Sequence, residues 1–413
     1  MNAAGAPAGP ALSPPATRAP AVALLVAGAV SLLGNQLTAL AIPWFVLQTT
    51  GSAVKTGVVG FAVMLPTVLA SFAGGAVVDR LGAKRVSVLA DVLSGATVAL
   101  IPLLHRLDAL GFGLLLVLVF LGALLDTPGA TARQALLPDL AERAGLGLER
   151  ANGAYHSVEN AAALIGPVLA GVLAAWLGAS DVLWLDAATF AVSAALVARA
   201  VPASPTAEAE ATAGRYWADV VEGLRFLRDD RPVRALCAVA ALVNLLATPL
   251  FVVVLPVYAE RVHGSAADLG LLLAGFGGGL LAGSLLFGAV GHRLPRLATL
   301  AGGLALTGPP LAVLAATPSL PWAVAALAAA GLASGPFNPL VFTLLQERVP
   351  AELRGRVFGT VLGAALAAAP LGMLLASATI EAVGLRPVVL LVAAGFVVAA
   401  GAMIVSPALR ELD

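Results

Sequence analysis

The sequence of 413 residues has little charge, a single cysteine and few aromatic residues. Charged residues make up 11% of it and hydrophobic residues 60%, whereas soluble domains are roughly a quarter charged. A water-soluble fold of this length could not bury so much apolar surface. The single cysteine, Cys237, excludes an intrachain disulfide, and the four histidines show no metal-ligand spacing. The formal net charge of zero gives no bulk attraction to nucleic acid.

Long apolar runs dominate the sequence instead. A helix of about 20 apolar residues crosses the ~30 Å hydrocarbon core of a bilayer. The sequence therefore predicts an all-α polytopic membrane protein with twelve transmembrane helices. The predicted spans are 21–48, 55–78, 86–105, 109–131, 152–177, 182–200, 234–259, 267–291, 297–316, 321–345, 357–380 and 385–406.

The two halves of the chain repeat each other at a near-constant offset. GSAVKTG at 51–57 matches GSAADLG at 264–270, and GAVVDRL at 75–81 matches GAVGHRL at 288–294, both at an offset of 213 residues. Such matches at equivalent turns predict two pseudo-symmetric six-helix bundles. The predicted organisation is a disordered cytoplasmic tail (1–20), an N-terminal bundle (21–200), a cytoplasmic linker with an amphipathic helix (201–233), a C-terminal bundle (234–406) and a cytoplasmic tail (407–413).

Lysine and arginine are distributed unevenly between the two ends of these spans. With the N-terminus inside, 19 of the 23 basic residues lie on the cytoplasmic side, Arg133 among them. The four exceptions are Lys55, Arg106, Arg261 and Arg386. Because cytoplasmic loops carry the excess of basic residues in membrane proteins, we predict a multi-pass plasma-membrane protein with both termini in the cytoplasm.

Several stretches carry a resemblance to a known family. GGAVVDRLGAKR at 74–85 is similar to the signature loop between spans 2 and 3 of the major facilitator superfamily, and LIGPVLAG at 164–171 to the span 5 motif of its drug:H⁺ antiporters. ARQALLPDL at 132–140 and VPAELRGRVFG at 349–359 resemble loops of its macrolide- and siderophore-exporter-like branch. The resemblance implies the major facilitator fold, with export as the function.

The loop at 74–85 is charged although it lies between two apolar spans. Its glycines permit the turn, but Asp79 contributes little to topology and needs a positive partner. The candidate partners are the N-terminal end of span 11 and Arg133, and Asp91 is expected to brace the loop. The alternative is that these charges only fix topology. The predicted cytoplasmic gate consists of Gly75, Asp79, Arg80, Gly82, Lys84, Arg85, Asp91, Arg133, Arg354 and Arg356.

Ionisable residues inside apolar spans are costly and indicate function. Asp126 in span 4 and Glu159 in span 5 are expected at similar depths from the cytoplasmic side, next to or near each other, and His156 lies one turn before Glu159. These three are candidates for proton coupling. The alternative is a structural pairing with Arg133 or His156. Asp186 is expected near the outer end of span 6, in contact with water.

Polar side chains recur on one face of several spans, with spacings of i, i+4 and i+7 in span 1. They are predicted to line a central cavity, and the alternative is hydrogen bonding between helices. The set is Ser31, Asn35 and Thr38 in span 1, Asn244 and Thr248 in span 7, and Asn338 in span 10. In span 5, Gly166, Pro167 and Gly171 predict close packing and a local kink.

The sequence contains no phosphate-binding loop of the type G-x-x-x-x-G-K-[ST] and no nucleophile–base arrangement, so we expect neither an enzyme nor a nucleotide-driven pump. The prediction is a secondary transporter that exports small hydrophobic or amphiphilic compounds in exchange for protons. The alternatives are an uptake symporter, a lipid flippase or a membrane sensor. A small molecule, protons and the lipid bilayer are the expected partners of a monomer, with no cofactor, nucleotide or nucleic acid.

Overall fold

A computed structural model describes residues 18–202, 212–350 and 353–411, without the side chains of residues 71–76, 79, 212–220 and 355. Within these ranges twelve helices are long and apolar enough to cross a membrane, and no strand occurs. The predicted all-α fold with twelve spans is therefore confirmed. Residues 1–17, most of the tail that was predicted to be disordered, lie outside the described residues.

The first six spans form the N-terminal half, and the chain reverses direction between consecutive spans at short turns. The turn before span 2 contains Gly51 at φ 64°, and the Ser52 side chain caps the helix by accepting the Lys55 N–H. The spans are Ala19–Thr50, Ala53–Leu81, Ala83–Arg106, Phe112–Arg143, Leu148–Leu177 and Ala179–Ala200.

The last six spans form the C-terminal half, and several of them are interrupted. Span 7 contains two π-helical segments in a stretch with Pro249 and Pro256, which cannot donate a backbone hydrogen bond. Its segments are Arg231–Pro249, Leu250–Val254, Leu255–Tyr258 and Ala259–His263. Spans 8 to 12 are Ala266–Val290 with Gly291–Arg293, Arg296–Val313 with Leu314–Ala316, Leu320–Ser334 with Phe337–Arg348, Arg354–Leu366 with Ala368–Val383, and Leu385–Val405, followed by a last turn at Pro407–Arg410.

A linker helix, Thr212–Asp229, joins the halves. It packs against the first segment of span 11, where Glu222 pairs with Arg356. We call the end of the bundle that carries this helix the linker end and the opposite end the far end.

The two halves contact each other at the far end. Span 5 packs on span 8, where a Cβ at Gly171 would lie 2.6 Å from the Ala266 carbonyl oxygen and 2.9 Å from the Gly270 Cα. Span 2 packs on span 11, where the Glu381 carboxylate accepts hydrogen bonds from Ser52 Oγ (2.5 Å) and the Val54 N–H (3.0 Å). Both pairs of spans are related by the internal repeat, so the same interface occurs twice.

Span 4 is longer than the sequence predicted. The prediction ended it at residue 131, after Pro128 and Gly129, whereas the helix continues to Arg143. It continues because Leu136, Leu137 and Leu140 are buried, and neighbouring helices make an internal proline tolerable in a membrane bundle. Asp126 therefore lies near the middle of this helix, roughly 20 Å from its far end at 1.5 Å per residue.

Candidate functional site

A cavity of about 300 Å³ lies between the two halves, next to their contacts at the far end. The N-terminal half supplies most of its wall, and Thr248, Val252 and Met373 come from the C-terminal half. The N-terminal lining residues are Asn35, Thr38, Ala39, Ile42, Pro43, Val59, Gly60, Val63, Met64, Thr67, Ser94, Val98, Ile101, Leu118, Val119, Gly122, Ala123, Asp126, Thr127, Asp186 and Phe190. An apolar pocket with a few convergent polar groups is the expected form of a small-molecule site.

A buried ion pair joins spans 3 and 4 beside this cavity. Arg133 Nη1 donates to Asp91 Oδ1 at 2.7 Å, and the two side chains are 2% and 0% exposed. The second carboxylate oxygen of Asp91 accepts from Ser193 Oγ of span 6 at 2.7 Å. Removing one member of such a pair leaves a buried charge without compensation, which typically costs about 3–5 kcal/mol. This pair therefore holds three spans together.

The buried pair corrects two predictions. Arg133 was placed in the cytoplasmic gate and counted among the cytoplasmic basic residues, but it lies inside the bundle because Asp91 compensates its charge. Asp91 was expected to brace the 74–85 loop, whereas its hydrogen bonds go to Arg133 and Ser193. Ser31, predicted to line the cavity, is fully buried and accepts from Arg133 Nη2 at 3.4 Å.

Asp126 faces the cavity next to this pair. Its Oδ2 accepts from Asn35 Nδ2 at 2.9 Å, and its Oδ1 lies 3.9 Å from Arg133 Nη2. Oδ1 is buried and has no hydrogen-bond partner in the described structure. Asp126 thus shares one arginine with Asp91 and has one oxygen available to a proton or a substrate group.

The position of Asp186 contradicts the prediction that its side chain contacts water. Its side chain is 0% exposed and belongs to the cavity wall. It accepts hydrogen bonds from Thr38 of span 1 and, at 3.0 Å, from Thr189 Oγ1 of its own helix. The close packing of Gly34 on this site seals it, since a Cβ there would overlap Asp186 and Thr189. The distance of Asp186 from the outer end of span 6 was therefore not enough to predict whether its side chain is hydrated.

Glu159 and His156 form a pair apart from Asp126. His156 Nδ1 lies 2.7 Å from Glu159 Oε2, and the two side chains are 64% and 34% exposed. Asp126 and Glu159 were expected next to or near each other, and in the described structure each has its own partners: Asn35 and Arg133 for Asp126, and His156 for Glu159. The pairing with His156 is the structural alternative considered from the sequence.

The other predicted lining residues are divided between the cavity and its surroundings. Asn35, Thr38 and Thr248 are in the cavity wall. Asn244 instead donates to the Ala240 carbonyl oxygen of its own helix, and Asn338 is exposed on span 10 outside the cavity wall. The polar face of span 1 thus reaches the cavity at two of its three positions.

The gate residues of the 74–85 loop are described only in part. Gly82 has φ 84° between spans 2 and 3, a conformation that glycine adopts readily. Arg80 and Arg85 are exposed, and Lys84 is half-buried. The side chain of Asp79 and the surroundings of Gly75 lie outside the described structure, so the latch stays a prediction. Arg354 donates to the Gln346 and Val349 carbonyl oxygens, and Arg356 to Glu222.

The two glycines of the span 5 motif contact different spans. A Cβ at Gly166 would meet Gln36 of span 1 at 2.5 Å, and Gly171 packs on Gly270 of the other half. Pro167 is accommodated inside the helix, and its carbonyl oxygen is close to Gly270. The sequence predicted close packing here, and the approach of Gly171 to Gly270 is such a close contact between the two halves.

Sequence reasoning missed Asp186, Thr189 and Ser193 as one polar face of span 6. Their spacing of i, i+3 and i+7 places them on one side of a helix, and this signal is visible in the sequence. No group of three or more histidine, cysteine, aspartate or glutamate residues in the described ranges could hold a metal ion. The cavity wall itself offers carboxyl groups, hydrogen-bonding groups and a mostly apolar surface.

Comparisons with known proteins are consistent with this architecture. The sequence profile of the Major Facilitator Superfamily matches residues 24–264 and 237–411. The multidrug efflux pump Tap of Mycobacterium tuberculosis (strain ATCC 25618 / H37Rv) is 36% identical over 96% of this chain and 95% of its own length. Macrolide efflux protein A of Streptococcus pyogenes is 21% identical over 87% of this chain and 88% of its own. Among solved structures, the nucleoside transporter NupG has a TM-score of 0.77 at 12% identity, covering 93% of this chain and 98% of that one.

Proposed function

The chain belongs to the major facilitator superfamily, and we propose that it exports small hydrophobic or amphiphilic compounds by alternating access, in exchange for protons. It is a membrane transporter and not an enzyme. The proposal of export rests on the similarity to Tap and to macrolide efflux protein A. The proposed location is the plasma membrane, where the protein acts as a monomer.

The cavity between the two halves is the observation that carries the proposal. A site at the interface of two repeated halves is the expected place for substrate in a transporter that rocks one half against the other. Its wall is mostly apolar, with Asn35, Thr38 and Thr248 as hydrogen-bonding groups. Such a wall suits hydrophobic or amphiphilic molecules better than sugars or phosphates.

The proposed orientation places the linker end in the cytoplasm. Apart from the buried Arg133, all basic residues except Lys55, Arg106, Arg261 and Arg386 lie at that end or in the linker, as the distribution of charge in membrane proteins requires. In this orientation the contacts at Gly171 and Glu381 close the extracellular side. The described state is then one from which substrate enters from the cytoplasm.

Proton coupling is proposed to pass through Asp126, with Glu159 and His156 as weaker candidates. Asp126 borders the cavity and has an oxygen without a hydrogen-bond partner. A carboxylate that exchanged its proton when the substrate entered would couple the two fluxes. Glu159 and His156 satisfy each other and are outside the cavity wall, which makes them less suited to this role.

The test uses purified protein in proteoliposomes with an imposed pH gradient. The probes are ethidium, followed by fluorescence, and radiolabelled erythromycin. We expect accumulation that requires the gradient and collapses when an ionophore removes it. Accumulation of neither probe, or equal transport with and without the gradient, would refute proton-driven export. Accumulation with the gradient reversed would indicate an uptake symporter instead.

A further inference from the structure

Asp186 is a buried carboxyl group that the proposed coupling through Asp126 does not use. It is 0% exposed, lies seven residues from the far end of span 6 and borders the same cavity as Asp126. Intramembrane ionisable residues are costly and are retained for function.

The charges around the cavity do not balance if every carboxyl group is ionised. Asp91, Asp126 and Asp186 are three acids in the interior. Among the described residues, Arg133 is the cation paired with Asp91 and Asp126. Arg133 is bound to Asp91 at 2.7 Å and lies 3.9 Å from Asp126. Within the described residues, no nitrogen of arginine, lysine or histidine is within 4.0 Å of the Asp186 carboxylate. A buried charge without a partner is strongly unfavourable, and such a group becomes neutral instead.

Among the described residues, the charged and titratable groups on the neighbouring spans do not supply a counter-ion. Asp126 of span 4 borders the same cavity as Asp186, and as an acid it cannot supply a positive charge. Asp91 of span 3 is bound to Arg133 and Ser193. On span 5, Glu159 and His156 are paired with each other. Span 1 presents the hydroxyl group of Thr38.

The hydrogen-bond partners of the two cavity carboxyls also differ. Asp126 is approached by the amide group of Asn35 as a donor and by Arg133, and both favour a carboxylate. Asp186 is approached by the hydroxyl groups of Thr38 and Thr189. A hydroxyl group can donate to a carboxylate and can also accept from a carboxylic acid. The site of Asp186 therefore suits both protonation states without rearrangement.

We infer that Asp186 is a second proton-binding site of the cavity and holds its proton in the described state. The inference rests on the proposed exchange of substrate for protons. The transporter then has two acids with different tasks at one cavity. Asp126 responds to what enters the cavity, and Asp186 keeps a proton until the seal formed by spans 1 and 6 changes.

Infrared spectroscopy of the full-length protein in lipid tests the inference without a transport assay. The carbonyl stretch of a protonated carboxyl group, identified by its shift in D₂O, is expected at neutral pH in the wild type. It should persist in Asp126→Asn and in the matched control Asp181→Asn, an exposed residue of the same helix that pairs with Arg106. It should be lost in Asp186→Asn and displaced in frequency in Thr38→Val.

Three results would overturn the inference: no band in the wild type, a full band in Asp186→Asn, or an unshifted band in Thr38→Val. The Thr38→Val spectrum decides the matter if Asp186→Asn fails to fold. Gradient-driven ethidium uptake by the wild type is scored separately. A band without gradient-driven uptake would refute proton antiport but support Asp186 as a proton-binding site. Gradient-driven uptake without the band would support proton antiport but refute Asp186 as a proton-binding site.

Discussion

The N-terminal half carries charge in its interior, whereas the C-terminal half carries charge at its helix ends. Asp91, Asp126, Arg133 and Asp186 lie well inside spans 3, 4 and 6. The charged residues of spans 7 to 12 all lie within about four residues of an end of their span. The two halves share a fold and a repeat but differ in where their charges lie, which is why the proposed proton coupling is placed in the first half.

The largest expected effect comes from removing the buried cation of the N-terminal half. Arg133→Leu leaves Asp91 buried without compensation and should destabilise the protein by about 3–5 kcal/mol. Arg296→Leu is the matched control in the C-terminal half, because its pair with Glu347 is exposed and worth about 0–1 kcal/mol. Thermal unfolding in detergent measures both. Equal melting temperatures for the two variants would show that the buried and the exposed ion pair do not differ in their contribution to stability. Recovery of stability in Arg133→Leu/Asp91→Asn would support the assignment of the loss to the uncompensated charge of Asp91.

A second effect is on function with the fold preserved. Asp126→Asn keeps the shape of the side chain but cannot exchange a proton, so it should abolish pH-driven accumulation of ethidium while binding of ethidium is retained. Glu159→Gln should have a smaller effect, since Glu159 lies outside the cavity wall. Uphill transport at the wild-type rate in Asp126→Asn would exclude Asp126 as the proton carrier.

A third effect concerns the contact between spans 5 and 8, which closes the far end of the cavity. In Gly171→Ala the new Cβ would lie 2.6 Å from the Ala266 carbonyl oxygen, and such overpacking costs about 1–3 kcal/mol. The closed far end should therefore become less populated. A cysteine at Thr248, in a background where Cys237 is alanine, should then react faster with an impermeant maleimide from outside. Gly401→Ala, whose Cβ meets open space, is the control and should leave the rate unchanged.

The smallest effect is expected at Glu381. Its carboxylate accepts from Ser52 and from the first turn of span 2, where a negative charge at a helix N-terminus contributes about 0.3–1 kcal/mol. Glu381→Gln should raise the outside labelling of the same cysteine by up to about fivefold, since 1.4 kcal/mol corresponds to tenfold. An unchanged labelling rate would show that this contact does not hold the far end closed.

Composition and periodicity were sufficient to predict the twelve spans, because each span must be apolar over its whole length. The end of span 4 was missed because Pro128, Gly129 and the polar residues that follow resemble a loop. Arg133 is tolerated inside only because Asp91 of another span reaches it, and such a long-range pairing has no local signature. The burial of Asp186 likewise depends on Gly34 of span 1. The sequence thus named Asp126, Asn35 and Thr38 but not the network that connects them.

Proton movement during transport measures the central claim most directly. Proteoliposomes that contain a pH-sensitive dye in their lumen are given ethidium on the side from which it is transported, with no pH gradient imposed. We predict that ethidium transport by the wild type drives protons in the opposite direction, that Asp126→Asn abolishes this flux, and that Arg296→Leu retains it. Ethidium transport without proton movement in the wild type, or an unchanged proton flux in Asp126→Asn, would contradict the account.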